Sequence, residues 1–101
     1  MILIYTVFSS LAEARKIGKA LLKARLAACV NFWPIESMYW WKGKLEKDKE
    51  VVMLIKTRKG NYAKAQRFIK VRHSYDTPAI FEIDVDMVEK KYAGWIKRVT
   101  G

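Results

Sequence analysis

Two residues of the chain could bind a soft or borderline metal ion: its only cysteine, Cys29, and its only histidine, His73. Thiolate and imidazole are ligands that copper and zinc prefer. A closed tetrahedral site needs about four ligands, and one chain offers these two with methionine sulfurs as weak additions. We therefore expect weak binding of copper or another divalent metal, at a boundary between copies of the chain. The alternative is that Cys29 is a small core residue and His73 a structural loop residue.

A second group of residues has the composition of a small-ligand pocket. It combines aromatic rings with charged and titratable groups, the mixture that lines concave sites for anions and metabolites. Its members are Tyr39, Trp41, Glu50, Lys56, His73, Tyr75 and Trp95. Lys56 and Glu50 are the charged pair on which such a pocket would depend. The alternative is that the rings fill the core and subunit interfaces, where Trp and Tyr are enriched.

Catalytic motifs are absent from the sequence. It has no Gly-rich phosphate loop, no nucleophile elbow and no HExxH spacing. Cys29 and His73 would form an active thiolate pair only with a third, orienting group. We therefore predict a protein that is not an enzyme.

The stretch from Leu26 to Thr57 must position most of these residues, and its pattern predicts a long β-hairpin with its turn at Lys42-Gly43. Each arm exceeds the roughly 5–6 residues of a typical strand, so the hairpin should project beyond its sheet. Pro34 marks an edge, a bulge or a bend, because proline cannot donate a ladder hydrogen bond. The charged tip, 46–50, is predicted to be solvated, apart from Glu50. Residues 51–55 are apolar on both faces, which predicts a cover on both sides.

The elements around the hairpin predict one domain, residues 1–101, with an α+β fold. Apolar runs and helical spacing indicate a strand at 1–8, a helix from a Ser10–Glu13 capping box to about Arg25, a helix capped by Asn61, a loop at 72–78, a strand at 81–85 and a helical stripe from Val88 to Val99. The order is βαββαβ plus a C-terminal helix. Right-handed crossovers then give a ferredoxin-like antiparallel sheet with two helices on one face. The other face needs a cover, and another copy of the chain is the simplest source.

The net charge of +10 favours anionic partners as a class. A basic βαββαβ domain is also the plan of an RNA-recognition module, but residues 50–57 lack the Lys/Arg-Gly-aromatic signature of that module. We therefore predict no specific nucleic-acid binding, and charge leaves nonspecific, salt-sensitive binding open. No apolar run reaches the roughly 18 residues of a membrane span, and one cysteine excludes an intrachain disulfide. We expect a soluble, intracellular protein with no membrane partner.

Five ordered pieces of the sequence resemble the CutA divalent-cation-tolerance family. They are Leu26-Ala27-Ala28-Cys29-Val30-Asn31, the Pro34–Gly43 segment with Ser37, Tyr39 and Trp41, then Glu50 with Lys56-Thr57, then His73-x-Tyr75-x-x-Pro78, and Tyr92-x-x-Trp95. The resemblance implies a cytoplasmic, ferredoxin-like homotrimer whose long hairpin strands pair between subunits. It also implies a link to copper or other divalent-metal tolerance, and a gathering of several pocket residues near a subunit cleft.

The chain departs from the family pattern at two positions. Ser74 stands where the family commonly has the proline of His-Pro-Tyr, and Arg72 stands where some members have a second histidine. A cation at that point weakens a metal site by repulsion. The combined prediction is a homotrimer implicated in divalent metal (copper) tolerance that binds a metal ion or small anion at an intersubunit cleft. The alternative is a trimeric signalling or scaffold protein whose surface is recognised by a partner protein, without a metal role.

Overall fold

The strands of the protein form one antiparallel sheet with the order β2-β3-β1-β4. The computed structural model describes all residues from Met1 to Gly101. Its elements are β1 (Ile2–Phe8), α1 (Leu11–Lys23), β2 (Cys29–Trp41), β3 (Lys44–Thr57), a 3-10 turn (Lys59–Asn61), α2 (Tyr62–Arg72), β4 (Ile80–Asp84) and α3 (Lys90–Thr100). The predicted ferredoxin-like α+β arrangement is therefore confirmed. None of the three helices combines the length and the apolar character that a membrane crossing requires.

The main core lies between the sheet and the helices α1 and α2. Because side chains alternate along a strand, Ile2, Ile4 and Phe8 of β1 all point to this side, and each is fully buried. Helix α1 approaches the sheet closely at Gly18. A Cβ atom at that position would lie only 3.0 Å from the sulfur of Met53, so the absence of a side chain permits the contact.

The β2–β3 hairpin projects from the sheet, as predicted. Strand β3 pairs with β1 only between residues 51 and 57, so residues 44–50 have β2 as their sole neighbour. The molecule is consequently 45 Å long but only 25 Å and 22 Å in its other dimensions. Lys42 and Gly43 have φ values of 50° and 78°, and positive φ at both positions defines a type I′ turn. Pro34 lies on β2, an edge strand of the sheet, as its missing N–H requires.

The face of the sheet opposite α1 and α2 is only partly covered. Helix α3 packs beside β3 on part of the molecule and buries Ile96. Trp33, Phe81 and Ile83 remain 41%, 46% and 44% exposed. The strand register places these three on the same side as further apolar residues, and we call the set the open face: Leu3, Tyr5, Trp33, Leu54, Phe81 and Ile83. A continuous apolar surface of this kind indicates contact with another molecule.

Two predicted helix caps differ from the structure. Ser10 accepts the backbone N–H of Glu13 at 3.1 Å, as expected, but the Glu13 carboxylate does not return to Ser10. It accepts the backbone N–H of Ser74 at 2.8 Å and the Ser74 hydroxyl at 2.9 Å, since two charge-assisted bonds are stronger than one local bond. Asn61 precedes α2 but does not cap it with its side chain, and its amide N–H instead donates to the Thr57 hydroxyl at 3.1 Å.

Candidate functional site

A cleft of about 720 Å³ opens where the projecting hairpin leaves the rest of the sheet. This volume lies within the range of roughly 300–1,000 Å³ that small-molecule sites occupy. The hairpin, the loop that follows α2, and β1 supply its lining. The lining residues are Tyr5, Val7, Ile35, Ser37, Met38, Tyr39, Trp40, Trp41, Asp48, Glu50, Ser74, Tyr75, Asp76, Thr77 and Ala79.

Two tyrosines of the cleft each hold a carboxylate of β3. Asp48 and Glu50 are two residues apart on the strand, so their side chains lie on the same face. The Tyr75 hydroxyl donates to Oε2 of Glu50 at 2.6 Å, and the Tyr39 hydroxyl donates to Oδ2 of Asp48. Glu50 is only 9% exposed. The Tyr75 bond therefore ties the loop after α2 to the base of the hairpin, and the Tyr39 bond joins the two hairpin arms.

Hydrogen bonds to carboxylates and burial together raise the pKa of both tyrosines. The hydrogen bond to Asp48 is the main cause that raises the pKa of Tyr39 to about 12, and burial and neighbouring carboxylates add to it. Burial is the main cause that raises the pKa of Tyr75, followed by its hydrogen bond to Glu50. Both hydroxyls therefore stay protonated at neutral pH and remain hydrogen-bond donors to the two carboxylates.

We expect Tyr39 and Tyr75 to ionise later than an ordinary tyrosine in an alkaline titration. A raised folded-state pKa means that the folded protein holds the proton more tightly than the unfolded chain. The resulting stabilisation is fully present below the unfolded pKa of about 10, and for Tyr39 it is lost as the pH rises through about 12. Tyrosinate absorbance measures this when the protein is compared with its Tyr39→Phe and Tyr75→Phe variants, which assign the signal among the five tyrosines. Asp48→Asn should return the pKa of Tyr39 towards about 10 and leave Tyr75 largely unchanged. An ordinary titration of Tyr39 in the unmodified protein would show that its bond to Asp48 is absent in solution.

His73 is fully engaged within its own chain. Its Nε2 lies 2.7 Å from the carbonyl oxygen of Val7, and its Nδ1 accepts the backbone N–H of Tyr75 at 3.0 Å. A neutral imidazole has one donor and one acceptor nitrogen, so the proton sits on Nε2 and donates to Val7. The ring also stacks on Phe8, with centroids 4.5 Å apart. A metal ion could bind His73 only by displacing one of these hydrogen bonds.

Cys29, Lys56 and Trp95 lie at the opposite end of the sheet from the cleft. Cys29 faces Lys56 across the β2–β3 ladder, and six residues of β3, about 20 Å, separate Lys56 from Glu50. The Lys56 ammonium lies 5.7 Å from the centre of the Tyr92 ring, which lies 5.6 Å from that of Trp95. Within one chain, the structure therefore brings neither Cys29 to His73 nor Lys56 and Trp95 to the cleft.

Four of the eight predicted site residues line the cleft together: Tyr39, Trp41, Glu50 and Tyr75. The sequence interpretation misses Asp48 and Asp76. The prediction that the charged hairpin tip is solvated hides the role of Asp48. The two-residue turn could have revealed this role. It sets Ser37 opposite Asp48, which places the Tyr39 side chain diagonally within reach of Asp48.

The charge of the cleft favours a cation. Its lining contains the carboxylates of Asp48, Glu50 and Asp76 and no Lys, Arg or His side chain. The predicted small anion has no positive partner there, because Lys56 lies at the other end of the sheet. No group of three His, Cys, Asp or Glu side chains in one chain is arranged to hold a metal ion. A metal ion in the cleft would therefore need ligands from outside this chain.

These observations define the class of protein as a ferredoxin-like α+β protein with a projecting hairpin and an acidic, aromatic cleft at its base. A sequence profile of CutA1 divalent ion tolerance proteins matches residues 2–99. The chain belongs to the CutA1 divalent ion tolerance family, which confirms the resemblance seen in its motifs.

Individual relatives agree with this assignment over almost the whole chain. The divalent-cation tolerance protein CutA of Pyrococcus horikoshii is 46% identical over 96 residues, which cover 95% of this chain and 94% of that protein. A crystal structure of CutA1 from the same organism superposes with a TM-score of 0.96 at 44% identity, covering 100% of this chain and 99% of that chain. The structure of the protein described as the periplasmic divalent cation tolerance protein CutA of Archaeoglobus fulgidus gives a TM-score of 0.98 at 41% identity, covering 100% of both chains.

Proposed function

We propose that this protein is a homotrimer that binds a divalent cation, with copper as the first candidate, at clefts between its subunits. Membership of the divalent ion tolerance family supports a role in tolerance of such ions. The observation that carries the proposal is the acidic cleft, which has three carboxylates and no cationic side chain. We propose the cytoplasm as its compartment, from the resemblance to the family, and cell fractionation tests that assignment.

The open face supports assembly with further copies of the chain. Several large apolar side chains share this face and remain partly exposed, and water contact with them costs free energy in proportion to their area. The projecting part of the hairpin carries a second apolar region on the side of the ladder opposite the open face, where Met38, Trp40 and Leu45 are 78%, 71% and 68% exposed. Aromatic residues and methionine are enriched in subunit interfaces. Burial of both regions between copies removes the exposed area that a single chain cannot cover.

Assembly would also complete the cation site. One chain supplies Asp48 and Glu50 on a shared face of β3, together with Asp76 from the neighbouring loop. Carboxylate oxygens suit hard and borderline divalent ions, but a full coordination shell requires more ligands than these. A neighbouring subunit, water molecules or both would supply the remainder. This account assigns structural roles to Cys29 and His73 within their own chain.

Native mass spectrometry of the protein from cells, before and after addition of Cu²⁺, tests the proposal. We expect a species containing three chains and uptake of copper in proportion to the number of clefts. A single chain, or a trimer that takes up no divalent ion, would contradict it. The trimeric scaffold remains the second candidate because of the exposed Met38, Trp40 and Leu45. A trimer that takes up no metal and still exposes these side chains would favour that candidate.

A further inference from the structure

The outer surface of the two core helices carries cations without anions. In α1, the side chains that face away from the sheet include Lys16, Lys19 and Lys23, because Ile17 and Leu21 occupy the buried side. In α2, the residues opposite buried Ala65 and Ile69 include a second set of three cations. We call the combined set the basic helical face: Lys16, Lys19, Lys23, Lys64, Arg67 and Lys70. All six are exposed.

The charges of the basic helical face are not neutralised within the chain. The only ion pair of the whole chain joins Lys59 to Asp84, at 3.1 Å, and involves none of the six cations. Glu13 is the sole carboxylate in either helix, and its oxygens already accept hydrogen bonds from Ser9 and Ser74. The other acidic residues lie in the hairpin, the loop after α2, β4 and the segment before α3. The two helices therefore present a concentrated positive surface.

The spacing of these cations matches a duplex backbone. Successive cations on each helix stand three or four residues apart, which is about 4.5–6 Å along the axis. Phosphates on one strand of a duplex rise about 3.4 Å per step along the duplex axis, so cations of a protein helix that lies along that axis would stand one or two phosphate steps apart. Helices α1 and α2 pack side by side, and packed helix axes are typically about 8–10 Å apart. Two such rows fit the phosphates on the two sides of a major groove roughly 12 Å wide.

The side-chain types on this face favour a nucleic-acid duplex over a single strand or a membrane surface. Single strands are held by stacking on exposed aromatic rings, but the Arg72 guanidinium covers Phe68 at 3.5 Å, and the hydroxyl of Tyr62, the other ring of α2, donates to the carbonyl of Ile80. Helices that lie in a membrane surface insert an apolar face, whereas the apolar faces of α1 and α2 are packed against the sheet. Val71 is the only large apolar side chain of α2 that is strongly exposed, at 77%.

We propose that the basic helical face binds the phosphate backbone of double-stranded nucleic acid without sequence preference. Lysine and arginine contacts to phosphates carry no sequence information, which agrees with the absence of base-reading motifs in this chain. In the proposed trimer the open faces turn inward, which leaves the helical layers outside and accessible. With six phosphate contacts, a plot of the logarithm of the association constant against the logarithm of the salt concentration should have a slope of about −5.

The test is titration of the intact protein with a fluorescent mixed-sequence DNA duplex of about one helical turn, with its separated strand and anionic lipid vesicles as parallel probes. Affinity for the duplex should fall about 1,000-fold between roughly 50 and 200 mM salt. The triple variant Lys19→Gln, Lys23→Gln, Lys70→Gln should bind at least tenfold more weakly, with a slope reduced by about 2.7.

Two matched variants separate this surface from the effect of net charge. The first variant, Lys90→Gln, Lys91→Gln, Lys97→Gln, removes the same charge from exposed positions of α3. It should change duplex affinity by no more than about twofold, because salt screens charges that do not contact the duplex. Replacing Lys19, Lys23 and Lys70 with arginine should retain duplex binding, which guards against a folding defect. Equal losses in the two glutamine variants, tighter binding of the single strand, or binding to vesicles but not to the duplex would each overturn the proposal.

Discussion

Phe81→Asp should dissociate the protein into single chains of 11.8 kDa. Phe81 belongs to the open face, stacks on Tyr5 with ring centroids 5.0 Å apart and is 46% exposed. In one chain, an aspartate at this position can reach water, so the core between the sheet and the helices should survive. In the proposed trimer, the carboxylate would be buried without a partner. That penalty is several kcal/mol, and about 4 kcal/mol corresponds to a roughly thousandfold weaker association.

Light scattering coupled to size-exclusion chromatography measures the outcome, and circular dichroism checks that the chain remains folded. Val71→Asp is the matched control, because Val71 is exposed on α2 and faces away from the sheet. It should leave the assembly intact. Val52 is a less suitable position for this test, since it is fully buried within the single chain and a charge there would unfold the chain itself. A folded Phe81→Asp protein that still contains three chains would refute assembly through the open face.

Glu50→Gln should weaken the binding of Cu²⁺ at least tenfold, whereas Cys29→Ala should leave it unchanged. Glu50 is the most buried carboxylate of the cleft, and loss of a unit charge about 4 Å from a cation removes about 4 kcal/mol of attraction per unit of cation charge at an effective dielectric constant near 20. Solvation of the displaced ion offsets part of this loss. Cys29 lies at the far end of the sheet and should contribute nothing to the cleft of its own chain.

Isothermal titration with Cu²⁺ measures both variants, and the side-chain amide that Glu50→Gln introduces keeps a hydrogen-bond acceptor for Tyr75. Asp84→Asn is a control for net charge, because Asp84 lies on β4 outside the cleft and pairs with Lys59. It should bind copper as the unmodified protein does. If Cys29→Ala abolished copper uptake while Glu50→Gln bound normally, the carboxylate cleft would be the wrong site, and a thiolate site between subunits would replace it.

Local chemistry was sufficient to predict the hairpin and the sheet. A two-residue hairpin turn requires positive φ, which Gly43 adopts without strain. The apolar runs on either side of the turn supply two strands of matching length. The turn then determines the register, which places Ile35 opposite Glu50. The missing N–H of Pro34 restricts it to an edge, a bulge or a bend, and the structure shows the edge.

The candidate site was less predictable because long-range contacts decide it. His73 and Cys29 have compatible chemistry, but His73 follows a helix whose end returns to Val7, whereas Cys29 starts a strand at the opposite end of the sheet. Residue types alone do not show which end of a strand a distant loop will meet. Glu13 demonstrates the same limit, since a local cap and a partner 61 residues away compete for one carboxylate, and only the fold determines the outcome.

The two hydrogen bonds between Glu13 and Ser74 have a consequence for the dynamics of the cleft. Proline, common in the family at this position, stiffens the chain covalently and has no N–H to donate. Serine instead leaves the backbone free and holds it by bonds that water can replace. The segment around Ser74 is therefore fixed to α1 by hydrogen bonds that exchange with water, whereas the neighbouring Tyr75 is fixed separately to Glu50 of the hairpin. In this member of the family, the position of that wall of the cleft is set by exchangeable hydrogen bonds rather than by a ring in the backbone.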